Sequence, residues 1–301
     1  MEQLLAQVAA GLATGAIYAC LALALVMIFV STSHINFAQG ELAMFSAFLC
    51  WQLIEWDVPF VIALPAVTVV SFAIGVAIER IVLRRLHAAP VLSIVVVFIA
   101  LMMIFHSLAG AIWGHTIKEF PSPFPAVTFP GSSYLGSHEI GMIAVTMVML
   151  VALYAFFRFT PLGLAMRAAA QNPVSARLSG IRVDWLLALG WGLAAAIGAV
   201  AGTLIAPVVY LEPNMMSSIL LYGFAAALAG GIANPAGAVA GGFLLGVLEN
   251  LVAFVGDLIE RTTGVYVVGN GEKLTVALIV VIVVLTVRPT GLFSRAAVKR
   301  V

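Results

Sequence analysis

Two carboxylates, Glu41 and Glu249, lie inside long apolar stretches of this chain. A charge held at membrane depth costs on the order of a few kcal/mol, so such a group is either paired by a neighbouring helix or placed on a pathway for substrate or ions. His106 and Asn234 are the residues that could hold them structurally, and both roles stay open at this point. Glu41 shares its segment with Asn36, Gln39 and Gly40, and Glu249 is followed by Asn250. Asn36, Asn214 and Asn234 flank apolar stretches interrupted by polar residues, glycine and proline. Unwound backbone at membrane depth is tolerated only where it is buried in protein or lines water. The candidate substrate path is therefore Asn36, Gln39, Glu41, Asn214, Asn234, Glu249 and Asn250. No catalytic set accompanies them. GxSxG, HExxH, CxxC and GxxxxGK[ST] are absent, so the chain cannot hydrolyse ATP through a P-loop of its own. The histidines are scattered without metal-ligand spacing. No metal and no bound cofactor are expected.

The elements that carry these residues must be transmembrane. Hydrophobic residues make up 63% of the 301 positions and charged residues 9%, where a soluble domain carries about 25% charged. Mean hydropathy is +1.16. A net charge of +1 gives no electrostatic case for nucleic acid. Cys20 and Cys50 both lie in apolar stretches and read as packing residues rather than a disulfide framework. The first apolar stretch is too long for a signal-peptide core. It also lacks a basic n-region, since no Lys or Arg precedes Arg80, so it reads as a retained helix.

Crossing about 30 Å of hydrocarbon takes roughly 20 apolar residues. On that measure the spans are about 4–30, 35–54, 58–79, 91–113, 139–158, 185–210, 217–233, 237–257 and 274–288. Of these, 35–54 and 217–233 are interrupted or short and read as broken or re-entrant. The expectation is an all-α, polytopic transmembrane bundle of eight or nine spans forming one domain over 1–301. Alternation places three basic clusters on one side: Arg80, Arg84 and Arg85; Arg158, Arg167, Arg177 and Arg182; Arg288, Arg295, Lys299 and Arg300. The other side receives Lys118, Arg261 and Lys273, so the N-terminus is predicted outside and the C-terminus cytoplasmic.

Residues 114–138 form a proline-rich external loop. Residues 158–184 read as one or two amphipathic helices on the cytoplasmic face, broken at Pro173. Such helices either lie on lipid headgroups or dock a soluble partner. The pairs Gly11/Gly15, Gly198/Gly202, Gly237/Gly241 and Gly242/Gly246 are spaced i, i+4 and read as helix-packing positions. A long span followed by an interrupted one occurs in each half, a weak sign of an inverted repeat.

Several strings are familiar together. GLATGAIYACLALALVMIF followed by INFAQGELAMFSAF, then RAAAQNPVSARLSGI, YGFAAALAGGIANPAGAVAGGFLLGVLEN and RPTGLF resemble, in order and along nearly the whole chain, the LivH-type branched-chain amino acid permeases of bacterial ABC importers. Gln39 departs from the resemblance, since many relatives carry His there, which argues against a titrating group at that position. The resemblance implies an inner-membrane permease that moves a branched-chain amino acid, or a related small solute, by alternating access. It implies partners: a second, homologous LivM-like permease or a second copy of this chain, two cytoplasmic ATPases holding ATP and magnesium, and a periplasmic binding protein that supplies selectivity. It also favours docking of an ATPase at the cytoplasmic loop, where Arg167, Asn172, Ala176, Gly180 and Ile181 match the loop motif and Arg177 lies among them. The competing expectations are a secondary transporter using Glu41 or Glu249 as an ion site, and a channel or structural membrane subunit.

Overall fold

The computed structural model describes residues 2–32, 34–86, 89–124, 136–263 and 273–293. His87, much of the external loop, Glu272 and the tail positions Arg295, Lys299 and Arg300 lie outside them. The described chain is helical: α1 (Glu2–Thr32), α2 (Gln39–Glu55), α3 (Phe60–Ile81), α4 (Val91–Trp113), α5 (Ser137–Phe159), α6 (Pro161–Gln171), α7 (Pro173–Leu178), α8 (Val183–Val209), α9 (Met216–Gly230), α10 (Pro235–Thr263) and α11 (Lys273–Val287). A helix satisfies its own backbone, which hydrocarbon demands. Six helices, α1, α3, α4, α5, α8 and α10, are long and apolar enough to cross a membrane. With 17, 15 and 15 residues, α2, α9 and α11 are shorter. At 1.5 Å per residue each rises only about 22–26 Å, less than the hydrocarbon thickness.

Burial separates two kinds of span. The apolar window of α1 is 83% buried and that of α8 67%, against 22% for α4 and 17% for α5. Helices that are apolar all round but buried form the interior, while α4 and α5 present most of their apolar surface outward, as a lipid-facing helix does.

The chain divides into two compact units. One comprises residues 27–123 and 148–220. Here α2 packs on α3, α4 and α8, and α3 lies along α8. A Cβ at Gly75 of α3 would meet the Trp191 carbonyl of α8, one at Gly202 of α8 would meet the Ala43 backbone of α2, and one at Gly198 would meet the Gln39 side chain. Trp113 stacks on Phe48 and donates its indole N–H to Gln52 at 2.9 Å.

The other unit comprises residues 1–26, 124–147 and 221–301. Its central feature is a crossing of α1 and α10 at backbone contact. A Cβ added at Gly11 would lie 2.6 Å from the Val247 Cα, and one at Gly15 would lie 2.7 Å from the Phe243 Cα. From the other helix, Gly242 abuts Ala19 and Gly246 abuts Gly15. A second close approach joins α9 to α10, where Gly230 meets Gly237 and Gly241 meets the Ala226 carbonyl. The RPTGLF segment then closes the end of α9: Leu292 N–H donates to the Ala229 carbonyl at 2.8 Å and Phe293 N–H to the Gly230 carbonyl at 3.2 Å. These acceptors are the unpaired carbonyls every helix leaves at its C-terminus. Gly291, at φ +89°, makes the turn that brings the segment against Gly231.

Gly15→Ala is expected to lower the stability of the detergent-solubilised chain by about 1–3 kcal/mol, because both helices meet through backbone that cannot give way. Gly40→Ala meets only the Leu220 and Met216 side chains, at 3.3–3.4 Å, and is expected to be near-neutral. Thermal unfolding of the two variants side by side checks this, and equal loss in both contradicts it.

Candidate functional site

The start of α2 gathers three of the polar residues singled out by the sequence. Asn36 and Gln39 are fully buried, and Glu41 is 7% exposed. Local chemistry explains the turn. The Asn36 side-chain oxygen accepts from Ala38 N–H at 3.0 Å, an Asx-type turn that starts the helix at Gln39. The Gln39 amide donates to the Ala194 carbonyl of α8 at 3.0 Å. Glu41 Oε2 lies 3.5 Å from His106 Nδ1 of α4, a charge-pair distance. Three polar atoms here are buried without a hydrogen-bond partner: Asn36 Nδ2, Gln39 Oε1 and Glu41 Oε2. Native proteins leave few such atoms, and the cost of each is about 1–3 kcal/mol. One free donor and one free acceptor beside a carboxylate that faces His106 suit a small polar group arriving from outside.

Glu249 belongs to the other unit and is engaged differently. It is 2% exposed and accepts from the Tyr18 hydroxyl at 3.1 and 3.4 Å. The Tyr18 ring stacks on Tyr222 at 4.6 Å between centroids. Asn250 donates to the Gly246 carbonyl at 2.9 Å and accepts from Lys273 Nζ at 3.5 Å. Asn234 donates to the Phe293 carbonyl at 2.9 Å, so its amide holds the RPTGLF turn. Asn214 is exposed and its carbonyl accepts from Ser217 N–H. Neither Tyr18 nor Lys273 was singled out by the sequence. A tyrosine inside a glycine- and alanine-rich span is the available signal, since a buried Tyr hydroxyl needs a partner.

Residues 158–184 form two helices. Thr160 caps α6 by accepting from Gly163 N–H at 3.0 Å. Pro173 forces Asn172 into an extended conformation, which ends α6, and Asn172 then caps α7 through Ser175 N–H. Gly180, at φ +82°, stops α7, with Ile181 N–H returning to the Ala176 carbonyl at 3.0 Å. Ala176 is buried, and Met166 packs on Leu186 and Leu189 of α8. The Arg167 Nε is buried without a partner, and Arg177 pairs with Asp184 at 2.9 Å. This element therefore rests on α8 through one face. On its outer side Leu164, Val174 and Leu178 are exposed, Leu178 at 86%.

These features define a class: a polytopic α-helical membrane protein with buried polar groups in its interior and an amphipathic two-helix element seated on a spanning helix. A family model described as "Branched-chain amino acid transport system / permease component" matches residues 7–287. The chain belongs to that family. It is 29% identical to the high-affinity branched-chain amino acid transport system permease protein LivH of Salmonella typhimurium, over 97% of this chain and 96% of that one. It is 30% identical to BraD of Pseudomonas aeruginosa, over 99% and 98%. It is 27% identical to a probable LivH of Methanocaldococcus jannaschii, over 90% and 87%. Among solved structures it is similar to PsaBC from Streptococcus pneumoniae in complex with Fab, at TM-score 0.48 and 11% identity, a likeness too low to establish a shared fold.

Tyr18→Phe removes the only hydroxyl that donates to the Glu249 carboxylate among the described residues. It is expected to destabilise the chain by roughly 1–3 kcal/mol, and the loss is expected to shrink when Glu249→Gln is already present. A double-mutant cycle by thermal unfolding measures the coupling, and additive losses contradict the pairing.

Proposed function

We propose that this chain is the membrane-spanning permease subunit of a bacterial ABC importer that moves a branched-chain amino acid, or a closely related small solute, into the cytoplasm. The observation that carries this reading is family membership across residues 7–287, together with the α6–α7 element that the resemblance assigns to an ATPase. In this reading the N-terminus is periplasmic and the C-terminus cytoplasmic. ATP and magnesium belong to two cytoplasmic ATPases, and this chain does no covalent chemistry. A second permease completes the pathway, and a periplasmic binding protein delivers the solute. Leu164, Val174 and Leu178 offer the apolar surface that an ATPase cleft would cover. Motion of α6–α7 would pass to α8, on which Met166 is anchored, and from α8 to Gln39 through the Ala194 carbonyl.

The unpartnered amide atoms of Asn36 and Gln39, with the Glu41 carboxylate beside them, would line the path and hold the solute weakly, since selectivity rests with the binding protein. Glu249 has its own partner in Tyr18, which supports a structural role and speaks against an ion-coupling site.

Purification from native membranes in mild detergent is expected to recover two ATPases and a second permease, with ATP turnover stimulated by a loaded binding protein. Recovery of a lone chain or a homo-oligomer, in detergent that preserves known ABC complexes, overturns the proposal. In the same complex Asn36→Asp keeps an acceptor for Ala38 and puts a carboxylate oxygen where the unpartnered donor stood. It is expected to lower uptake of labelled substrate about tenfold or more, through the lost donor and the added buried charge, without releasing the ATPases. Unchanged uptake removes Asn36 from the path.

A further inference from the structure

Where α3 ends and α8 begins, a cavity of about 450 Å³ opens, lined by Arg80, Arg84, Arg177 and Arg182 together with Gly180, Ile181, Val183, Asp184 and Trp185. Four arginines thus line one cavity. Asp184 is the acid on the lining, and it already serves two of them, Arg177 at 2.9 Å and Arg84 at 3.9 Å. Each guanidinium carries five N–H donors, so the two oxygens of Asp184 leave most of this donor set unused. Glu79, the buried neighbour of Arg80, adds one further carboxylate at the end of α3, and the arginines still outnumber the acids.

A second observation concerns the start of α8. Its N-cap residue, Arg182, makes no side-chain cap hydrogen bond. The Arg182 carbonyl accepts from the Trp185 and Leu186 N–H groups, and the Ile181 carbonyl from Val183 N–H, so what the start of this 27-residue helix adds to the cavity is the positive end of its dipole. A third is depth. The cavity lies at the end of one candidate span, Phe60–Leu86, and the start of another, Val183–Val209. That is the level of the headgroups, where the exposed indole of Trp185 also belongs. Ile81, exposed on the last turn of α3, offers apolar surface toward the acyl region.

We propose that this pocket binds the phosphate diester of an anionic phospholipid. Planar guanidinium forks match phosphate oxygens in pairs, the positive end of a helix dipole favours the same charge, and a basic pocket between helix ends is the form that headgroup recognition takes. The bound phosphate takes over the donors that Asp184 leaves free and ties the turn after α3 to the α7–α8 turn through Arg84 and Arg177. The lipid thereby sets how firmly the α6–α7 element is seated. The proposal needs only that the chain spans a membrane, and it stands or falls separately from the identity of the transported solute.

The test is native mass spectrometry of the full chain, released from detergent carrying equal phosphatidylglycerol and phosphatidylcholine. The wild-type chain is expected to retain phosphatidylglycerol at least tenfold over phosphatidylcholine, and the Arg80→Gln/Arg84→Gln variant is expected to lose that preference. Asp184→Asn removes the competing acid and is expected to raise phosphatidylglycerol retention, a gain that misfolding cannot produce. Equal retention of the two lipids by the wild-type chain overturns the proposal. So does an Asp184→Asn variant that retains no more phosphatidylglycerol than wild type. Displacement of the lipid by millimolar inorganic phosphate overturns the lipid assignment and makes free phosphate the ligand.

Discussion

The crossing of α1 and α10 is the contact on which its unit depends. Lipid offers no hydrophobic drive between helices, so association relies on close packing and on polar groups satisfied inside the protein. Gly11 and Gly15 on one helix, and Gly242 and Gly246 on the other, remove the side chains that would keep the backbones apart. The same approach brings Tyr18 to Glu249 and Thr14 to Asn250, one turn along from the glycines. Small residues and buried polar residues therefore act together. The glycines allow the distance at which the carboxylate finds its hydroxyl, and without that hydroxyl Glu249 would be costly at this depth.

The other unit shows the opposite arrangement at its centre. Around the first turn of α2 the polar groups are only partly satisfied, by Ala38, by Ala194 and, at ion-pair distance, by His106, and Asn36 Nδ2 and Gln39 Oε1 have no hydrogen-bond partner. In the proposed reading this is where a polar solute is admitted and released, and a fully satisfied network would exclude it. The chain thus uses one buried carboxylate to fasten helices and keeps another beside unpaired amides. Similar residue types in similar apolar surroundings are partnered differently, and the difference lies in residues from distant parts of the chain.

That distance marks how much was legible in the sequence. The long apolar runs gave the six long helices to within a few residues, because hydrocarbon selects for length and composition together. Pro173 and Asn172 marked the α6–α7 break through purely local chemistry, and RPTGLF and the loop motif pointed to the family. Helix ends were read less well. The stretch taken to begin at 35 starts as α2 at Gln39, because Asn36 turns the backbone with its own side chain. The span ending near 257 continues in α10 to Thr263, since polar Asp257, Glu260 and Arg261 extend a helix past its apolar part. The Tyr18–Glu249 pair joins residues 231 positions apart, and no spacing rule reports such a contact. The bond from the Asn234 amide to the Phe293 carbonyl likewise joins residues 59 positions apart, beyond any spacing rule.

The central claim is that transport through this chain is driven by ATP on partner subunits, with Glu249 serving as scaffold. Uptake into proteoliposomes containing the purified complex and its binding protein tests it most directly, with ATP and the ion gradients varied independently. Uptake is expected to require ATP on the ATPase side and to persist when proton and sodium gradients are collapsed by ionophores. Uptake driven by a gradient without ATP, and abolished by Glu249→Gln, would contradict it.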